Sequence, residues 1–267
     1  MTEAHARFEG SVPAFYDRFL GPFFFDPHAR ELARRLALRG GARRVLEIAC
    51  GTGIATRRLR QALAPESQIV ATDFLQPMLD YARARLTGAD VHWRTADAQE
   101  LPFKNGAFDA AVCQFGLMFV PDKAAAFREA RRVLEPGGCF LATTWCALGD
   151  CPTAALGAET LERLFPEDPP RFHHVPHGLH DPAELRRMAL EAGFTEVTVE
   201  RIDLEAHAPS ARHVATGMVR GTPLAGMLAE RGADLDRVIE AFARAMRDGE
   251  GAIPYSAPIP ALLTTAT

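Results

Sequence analysis

The stretch Val45-Leu46-Glu47-Ile48-Ala49-Cys50-Gly51-Thr52-Gly53 decides how this chain folds. Val45 to Ala49 is a nearly continuous apolar run, as in a strand buried on both faces. The run breaks at Gly51-Thr52-Gly53, and Ile54 to Leu63 then repeats apolar residues at spacings of three and four, the period of a helix. Strand, glycine turn and helix make one βα unit, and the unit recurs outward from it. Further apolar runs at Ile69 to Thr72, Val91 to Arg94, Ala110 to Cys113 and Cys139 to Trp145 alternate with helical patterns at Pro77 to Leu86 and Lys123 to Leu134. That alternation predicts an α/β fold built on a parallel sheet. The last of these helices is expected to stop at Glu135-Pro136-Gly137-Gly138, where proline ends the helix and glycine turns the chain.

After Trp145 the pattern loosens. Segment 147–180 holds Pro152, Pro166, Pro169, Pro170 and Pro176, with a short helical pattern from Ala154 to Leu164, and reads as a lid-like insertion. Asp181-Pro182-Ala183-Glu184 resembles a capping box opening a helix to Ala192, and Gly193 closes it. Thr195 to Leu204 and Ile259 to Thr265 alternate as strands. Between them, segment 205–253 reads as a second, helical insertion with helices at Ala211 to Arg220, Pro223 to Arg231 and Asp234 to Arg247. The expectation is one domain over 1–267, with residues 1–40 as an N-terminal helical cap.

Composition bounds the function. A chain of 267 residues, 48% hydrophobic and 24% charged, can bury a single large core. The longest apolar run, Phe115 to Val120, is far short of the roughly 18 residues of a membrane span. The first residues lack the apolar stretch of an export signal, which predicts a cytoplasmic protein. Five cysteines without a Cys-x-x-Cys pair fit a reducing compartment. A net charge of −4 argues against a nucleic-acid surface. The oligomeric state is not legible.

The glycine turn lets backbone approach a nucleotide-like ligand closely, or else serves only as a compact strand-to-helix link. A dinucleotide fingerprint needs a third glycine where this chain has Thr56, and Glu47 puts an acid where pyrophosphate would sit. Both departures weaken a nicotinamide dehydrogenase reading. Asp73 follows Gly53 by 20 residues at a strand end, where its carboxylate can accept both ribose hydroxyls. Phe74 and Met78 stand beside it to pack on a base. Asp97 and Ala98 fall at the carboxyl end of the third strand and Gln114 and Phe115 at that of the fourth, the edge where open α/β sheets bind ligands.

In order along the chain, Glu47 to Gly53 (with Ala49, Gly51 and Thr52), Asp73, Asp97-Ala98, Phe108-Asp109 and Leu134 to Gly138 resemble the class I S-adenosylmethionine-dependent methyltransferase family. Phe115-Gly116-Leu117-Met118-Phe119-Val120-Pro121-Asp122-Lys123 is similar to the ubiquinone/menaquinone-biosynthesis C-methyltransferases and their small-molecule relatives. The resemblance implies a Rossmann-like seven-stranded, mostly parallel sheet with helices on both faces. It also implies an antiparallel C-terminal strand inserted between the fifth and sixth. The cofactor it implies is S-adenosylmethionine, which has no phosphate for Glu47 to repel, and the partner is a small-molecule acceptor, apolar or aromatic, methylated on O, N or activated C. Tyr16 would close over the methionine end of the cofactor, or else anchor its own helix. Phe19, Phe24, Met118 and Trp145 are candidate acceptor contacts; for most of the group Phe19, Phe23, Phe24 and Phe25 the core reading leads over the pocket one. His173 and His174 are the candidate general bases within a histidine group that includes His177 and His180. Their proline-containing loop lacks metal-ligand spacing, so no metal is expected. Cys113-Gln114-Phe115-Gly116 replaces the acidic or Asn-Pro-Pro-aromatic segment of nucleic-acid methyltransferases. Two other readings remain, a non-catalytic cofactor-binding protein and an NAD(P)-dependent oxidoreductase.

Overall fold

The computed structural model describes residues 10–88, 90–249 and 254–267. The first nine residues of the expected N-terminal cap and residues 250–253 of the expected helical insertion lie outside them.

The chain enters through α1 (Val12–Phe15), continues as a π-helix over Tyr16–Phe25, and passes into α2 (Asp26–Arg39). The central repeats follow as β1 (Arg44–Glu47), α3 (Ile54–Ala62), β2 (Gln68–Asp73), α4 (Gln76–Arg85), β3 (Val91–Thr95), β4 (Phe108–Gln114), α5 (Lys123–Val133) and β5 (Leu134–Trp145). The remainder is α6 (Pro152–Leu164), α7 (Pro182–Glu191), β6 (Val197–Ile202), β7 (Glu205–Ala208), α8 (Ala211–Arg220), α9 (Leu224–Glu230), α10 (Leu235–Gly249), β8 (Tyr255–Pro258) and β9 (Ala261–Ala266).

The seven-stranded sheet runs β3-β2-β1-β4-β5-β9-β6, and β9 is antiparallel to both β5 and β6. This is the Rossmann-like sheet implied by the resemblance, with the C-terminal strand between the fifth and sixth. Strands with both faces covered need apolar residues on both. Val45, Ile69, Val112 and Leu141 share a buried cluster with Leu32 and Leu36 of α2 and Leu59 of α3. The alternate positions Leu46, Ala111, Phe140 and Ala142 join Phe127 of α5 and Leu185 of α7 on the other side. Strand order reverses between β1 and β4, both of which pair directly. That switch opens a crevice at the carboxyl ends of the strands.

Capping follows the sequence at Asp181, and the structure adds a second cap at Asp122. Asp181 accepts the Ala183 amide at 2.8 Å at the start of α7, and Asp122 accepts the Ala125 amide at 2.8 Å at the start of α5. Two details differ from expectation. Glu135 to Gly138 is a bulge inside β5 rather than a turn before it, because Phe108 pairs with Leu134 while Ala110 already pairs with Cys139. Segment 205–253 is not wholly helical: β7 leaves it to pair with β8 as a separate two-stranded ribbon. Among the described residues, no helix is long and apolar enough to cross a membrane.

Candidate active site

The crevice at the switch point deepens into a cavity of about 300 Å³, within the size range of small-molecule sites. Its sheet side is polar and acidic. Glu47, the last residue of β1, is fully buried there, and neither carboxylate oxygen has a well-formed hydrogen bond among the described residues. Burial is the main reason its pKa rises to about 8; Thr56 opposes the shift and the Asp73 charge adds to it. On the adjacent strand, Gln114 donates its amide to the Phe25 carbonyl at 2.9 Å, while its buried Oε1 has no donor. Two buried polar groups without a well-formed partner among the described residues therefore meet at the switch, an arrangement that costs stability unless a ligand arrives to pair with them.

The turn after β1 is fixed by Asp73. Its Oδ2 accepts the Gly51 amide at 2.8 Å and its Oδ1 the Leu75 amide at 2.9 Å, leaving further lone pairs on both oxygens. Desolvation raises the Asp73 pKa against these amide contacts. Gly51 has φ +56° with open space where a Cβ would stand, so the backbone angle, and not crowding, calls for glycine. Two non-glycine residues share this left-handed region, Ala49 at +55° and Phe115 at +54°, and both line the cavity. Such strain concentrates at ligand sites. Gly116 lies against Ala49 so closely that an added Cβ would stand 2.4 Å from the Ala49 Cβ.

The opposite side of the cavity is aromatic. The π-helix has a wider turn than an α-helix, so residues four to five apart share a face, and Tyr16, Leu20, Phe24 and Phe25 all reach the cavity. Tyr16 stacks on Phe25 with centroids 4.6 Å apart, and Phe24 meets Trp145 edge-on at 5.9 Å. Phe115 and Trp145 stack nearly parallel at 3.9 Å. Burial, with the Asp73 and Asp17 charges, pushes the Tyr16 hydroxyl well above its usual range, so it stays protonated. Segment 147–180 supplies the remaining wall through Cys151, Thr153 and Ala154 and through Phe172, His173, Pro176 and His177.

Most residues singled out from sequence converge here: Tyr16, Phe24, Glu47, Ala49, Gly51, Thr52, Asp73, Phe74, Met78, Asp97, Ala98, Gln114, Phe115, Met118, Trp145 and His173 all line the one cavity. Three do not. Gly53 packs instead, since a Cβ there would press on Leu86 and Ala82 at 3.0 and 3.1 Å. Phe19 turns away to stack on Phe15 and on His213 of α8. His174 is exposed on the outside of its short turn. His173 reaches the lining, but its Nε2 is directed at the Gly157 backbone of α6 and has no partner among the described residues. Burial holds its pKa down at about 3. Phe25, one of the phenylalanines near Tyr16 that read as core or acceptor pocket, lines the cavity as well, and sequence reasoning missed Phe172 and the Pro258-Ile259 segment. It also left His177 without a role. His177 is buried in the wall, and its Nδ1 is 2.8 Å from the Cys146 carbonyl. Nothing local in the sequence signals that carbonyl.

Residues 45–138 match the family described as methyltransferase domain. A demethylmenaquinone methyltransferase of Staphylococcus aureus is 28% identical over 215 residues, which are 74% of this chain and 87% of that one. The family match covers the strand ends that build the acidic side of the cavity. Over residues 45–138 this chain is similar to methyltransferases, as its strand-end motifs imply. The fold agrees over the matched segment and beyond it. The YcgJ protein of Bacillus subtilis aligns with a TM-score of 0.59 at 21% identity, covering 90% of this chain and 97% of that one. Phosphoethanolamine N-methyltransferase 2 of Haemonchus contortus, solved with phosphomonomethylethanolamine and S-adenosylhomocysteine, aligns at 0.61 and 17% identity over 96% of this chain and 57% of its own.

Proposed function

We propose that this domain binds S-adenosylmethionine and passes its methyl group to an O, N or activated C atom of a small apolar or aromatic acceptor. The observation that carries the reading is the pair of buried groups without a well-formed partner among the described residues, the Glu47 carboxyl and Gln114 Oε1, at the switch between β1 and β4; an ammonium would ionise the first and donate to both. A ligand with an ammonium supplies the donors they lack, and a dinucleotide pyrophosphate supplies only more acceptors. Asp73 would accept the ribose hydroxyls with the lone pairs its amide contacts leave over. Asp97, Ala98, Phe74 and Met78 would hold the base, and Tyr16 the methionine end. S-adenosylmethionine, when bound, supplies an electrophilic methyl carbon whose leaving thioether is neutral. The chain's contribution is alignment: the strand ends fix one reactant, the aromatic wall fixes the other, and water is excluded. For well-oriented reactants this is worth on the order of 7 to 11 kcal/mol of barrier.

An apolar acceptor is supported by the aromatic lining and by the name of the Staphylococcus aureus relative, which specifies demethylmenaquinone. The departures of segments 147–180 and 205–253 from a minimal domain leave the acceptor's identity to them, since such elements set which molecule is admitted. Calorimetry with S-adenosylhomocysteine tests the cofactor half of the reading. Saturable binding in the parent, weakened at least tenfold in Glu47→Gln, is expected. Stabilisation by NAD(H) and not by S-adenosylhomocysteine would instead favour the oxidoreductase reading. Binding without methyl transfer to any acceptor would favour the non-catalytic one.

A further inference from the structure

The wall facing the sheet contains a polar group that the cofactor does not call for. His177 lines the cavity, with its ring tilted over Trp145 at a centroid distance of 6.3 Å. A carbonyl oxygen can only accept a hydrogen bond, so the His177 Nδ1 that lies 2.8 Å from the Cys146 oxygen must carry the proton. In a neutral imidazole that leaves the lone pair on Nε2. The loop is held from the other side as well, since His180 Nδ1 sits 2.7 Å from the His177 carbonyl. The ring is therefore fixed in one tautomer, with its proton-accepting nitrogen away from Cys146.

Around it, the aromatic end of the cavity offers Phe24, Met118, Trp145 and Phe172, and the acids of the lining, Glu47, Asp73 and Asp97, belong to the strand ends. Among the described lining residues there is no lysine or arginine. An anionic acceptor would lose its hydration and gain no counter-charge from the protein, only the cofactor's sulfonium, at a cost in desolvation. An uncharged ring keeps its burial gain, and one hydroxyl satisfies the imidazole.

We propose that His177 is the residue that takes up the acceptor's proton, and that the acceptor is a planar, uncharged molecule bearing a phenol-type or enol-type hydroxyl. The inference rests on the methyl-transfer reading above. The acceptor oxygen forms the new bond to the methyl carbon. The carbon–sulfur pair stays with sulfur, the O–H pair stays with oxygen, and the proton passes to Nε2. His177 becomes an imidazolium whose Nδ1–H remains on Cys146, and it returns the proton to solvent after product leaves. One positive charge disappears from the sulfonium as one appears on the ring, so the cavity's net charge is unchanged across the step. Burial lowers the His177 pKa, which keeps the ring neutral and ready to accept at physiological pH.

The test uses 2-naphthol and its methyl ether, 2-methoxynaphthalene, as probes in equilibrium dialysis, with and without S-adenosylhomocysteine. The parent should bind 2-naphthol at least tenfold more tightly than the ether. His177→Asn keeps an amide donor for the Cys146 carbonyl but lacks Nε2, and His177→Phe keeps only the ring; either should bring the ratio to about one while S-adenosylhomocysteine affinity stays within threefold. In 15N spectra of the parent, His177 should show a protonated Nδ1 and a bare Nε2 that shifts when 2-naphthol is added. The spectra do not depend on any variant folding. Equal binding of the two probes by the parent, a ratio that survives in a folded His177 variant, or a bare Nδ1 would overturn the proposal. Failure to bind S-adenosylhomocysteine would strike the methyl-transfer reading instead, and the dialysis without it reads the hydroxyl preference separately.

Discussion

Replacing Glu47 with glutamine should make the ligand-free protein more stable while weakening its hold on the cofactor. The Glu47 carboxyl has a folded-state pKa of about 8 against 4.5 for the exposed group, and burial is the main cause. Between those values the unfolded chain has released its proton and the folded chain has not, so the folded state binds more protons and stability falls as pH rises. Integrated across that window, the carboxyl costs the folded protein roughly 1 kcal/mol at pH 5, roughly 3 at pH 7 and roughly 5 at pH 9. Glutamine has the same shape and no charge at any of these pH values. Its amide brings two N–H donors where the protonated carboxyl has one O–H, and the extra donor left unpaired costs about 1 kcal/mol. The net gain at pH 7 is then about 2 kcal/mol, or on the order of 4 to 8 °C in melting temperature for a chain of this size. Urea denaturation of both proteins at pH 5, 7, 8 and 9 without ligand reads the difference directly. The buried histidines titrate in both proteins and cancel. A variant no more stable than the parent at pH 8, or a gap that does not widen between pH 5 and 8, would refute the reasoning.

Other substitutions probe separate parts of the site. Asp73→Ala removes the acceptor of the Gly51 amide and the proposed ribose contact together, so S-adenosylhomocysteine should bind more weakly by on the order of 1.5 to 3 kcal/mol in calorimetry. Gly116→Ala would push a methyl group to within 2.4 Å of the Ala49 Cβ and should cost about 1 to 3 kcal/mol, and adding Ala49→Gly, which also relieves the positive φ, should recover most of it in a double-mutant cycle. His28 donates its Nε2–H to the Ile259 carbonyl at 2.8 Å, and burial holds its pKa down at about 4, so 15N spectra at pH 5.5 should still show a neutral ring there. Below the unfolded value of 6.5 this group withdraws stability as pH falls, the opposite sign to Glu47. Because the sulfonium already activates the methyl group, EDTA should leave methyl transfer at its full rate, and a loss restored by Mg2+ or Zn2+ would return the histidine loop to consideration as a ligand set.

The sequence by itself determined the sheet. Apolar runs such as Val45 to Ala49 and Cys139 to Trp145 are those of strands covered on both faces, the pattern of a mostly parallel sheet between helices, and the glycine angle at Gly51 fixes where β1 gives way to a ligand-facing turn. Local chemistry also placed Glu47, Asp73, Asp97 and Gln114, because each lies within a few residues of a strand's carboxyl end and those ends share one edge. What only the tertiary structure decided is the other half of the cavity. Phe19 and Phe24 are indistinguishable by composition, and the π-helix turn is what sends one to α8 and the other to Trp145. His173, His174 and His177 lie within five residues in one loop. Which of them is oriented depends on a carbonyl at Cys146, 31 residues away. Long-range packing of that kind has no period and no composition, so it leaves no trace in the sequence until the chain is folded.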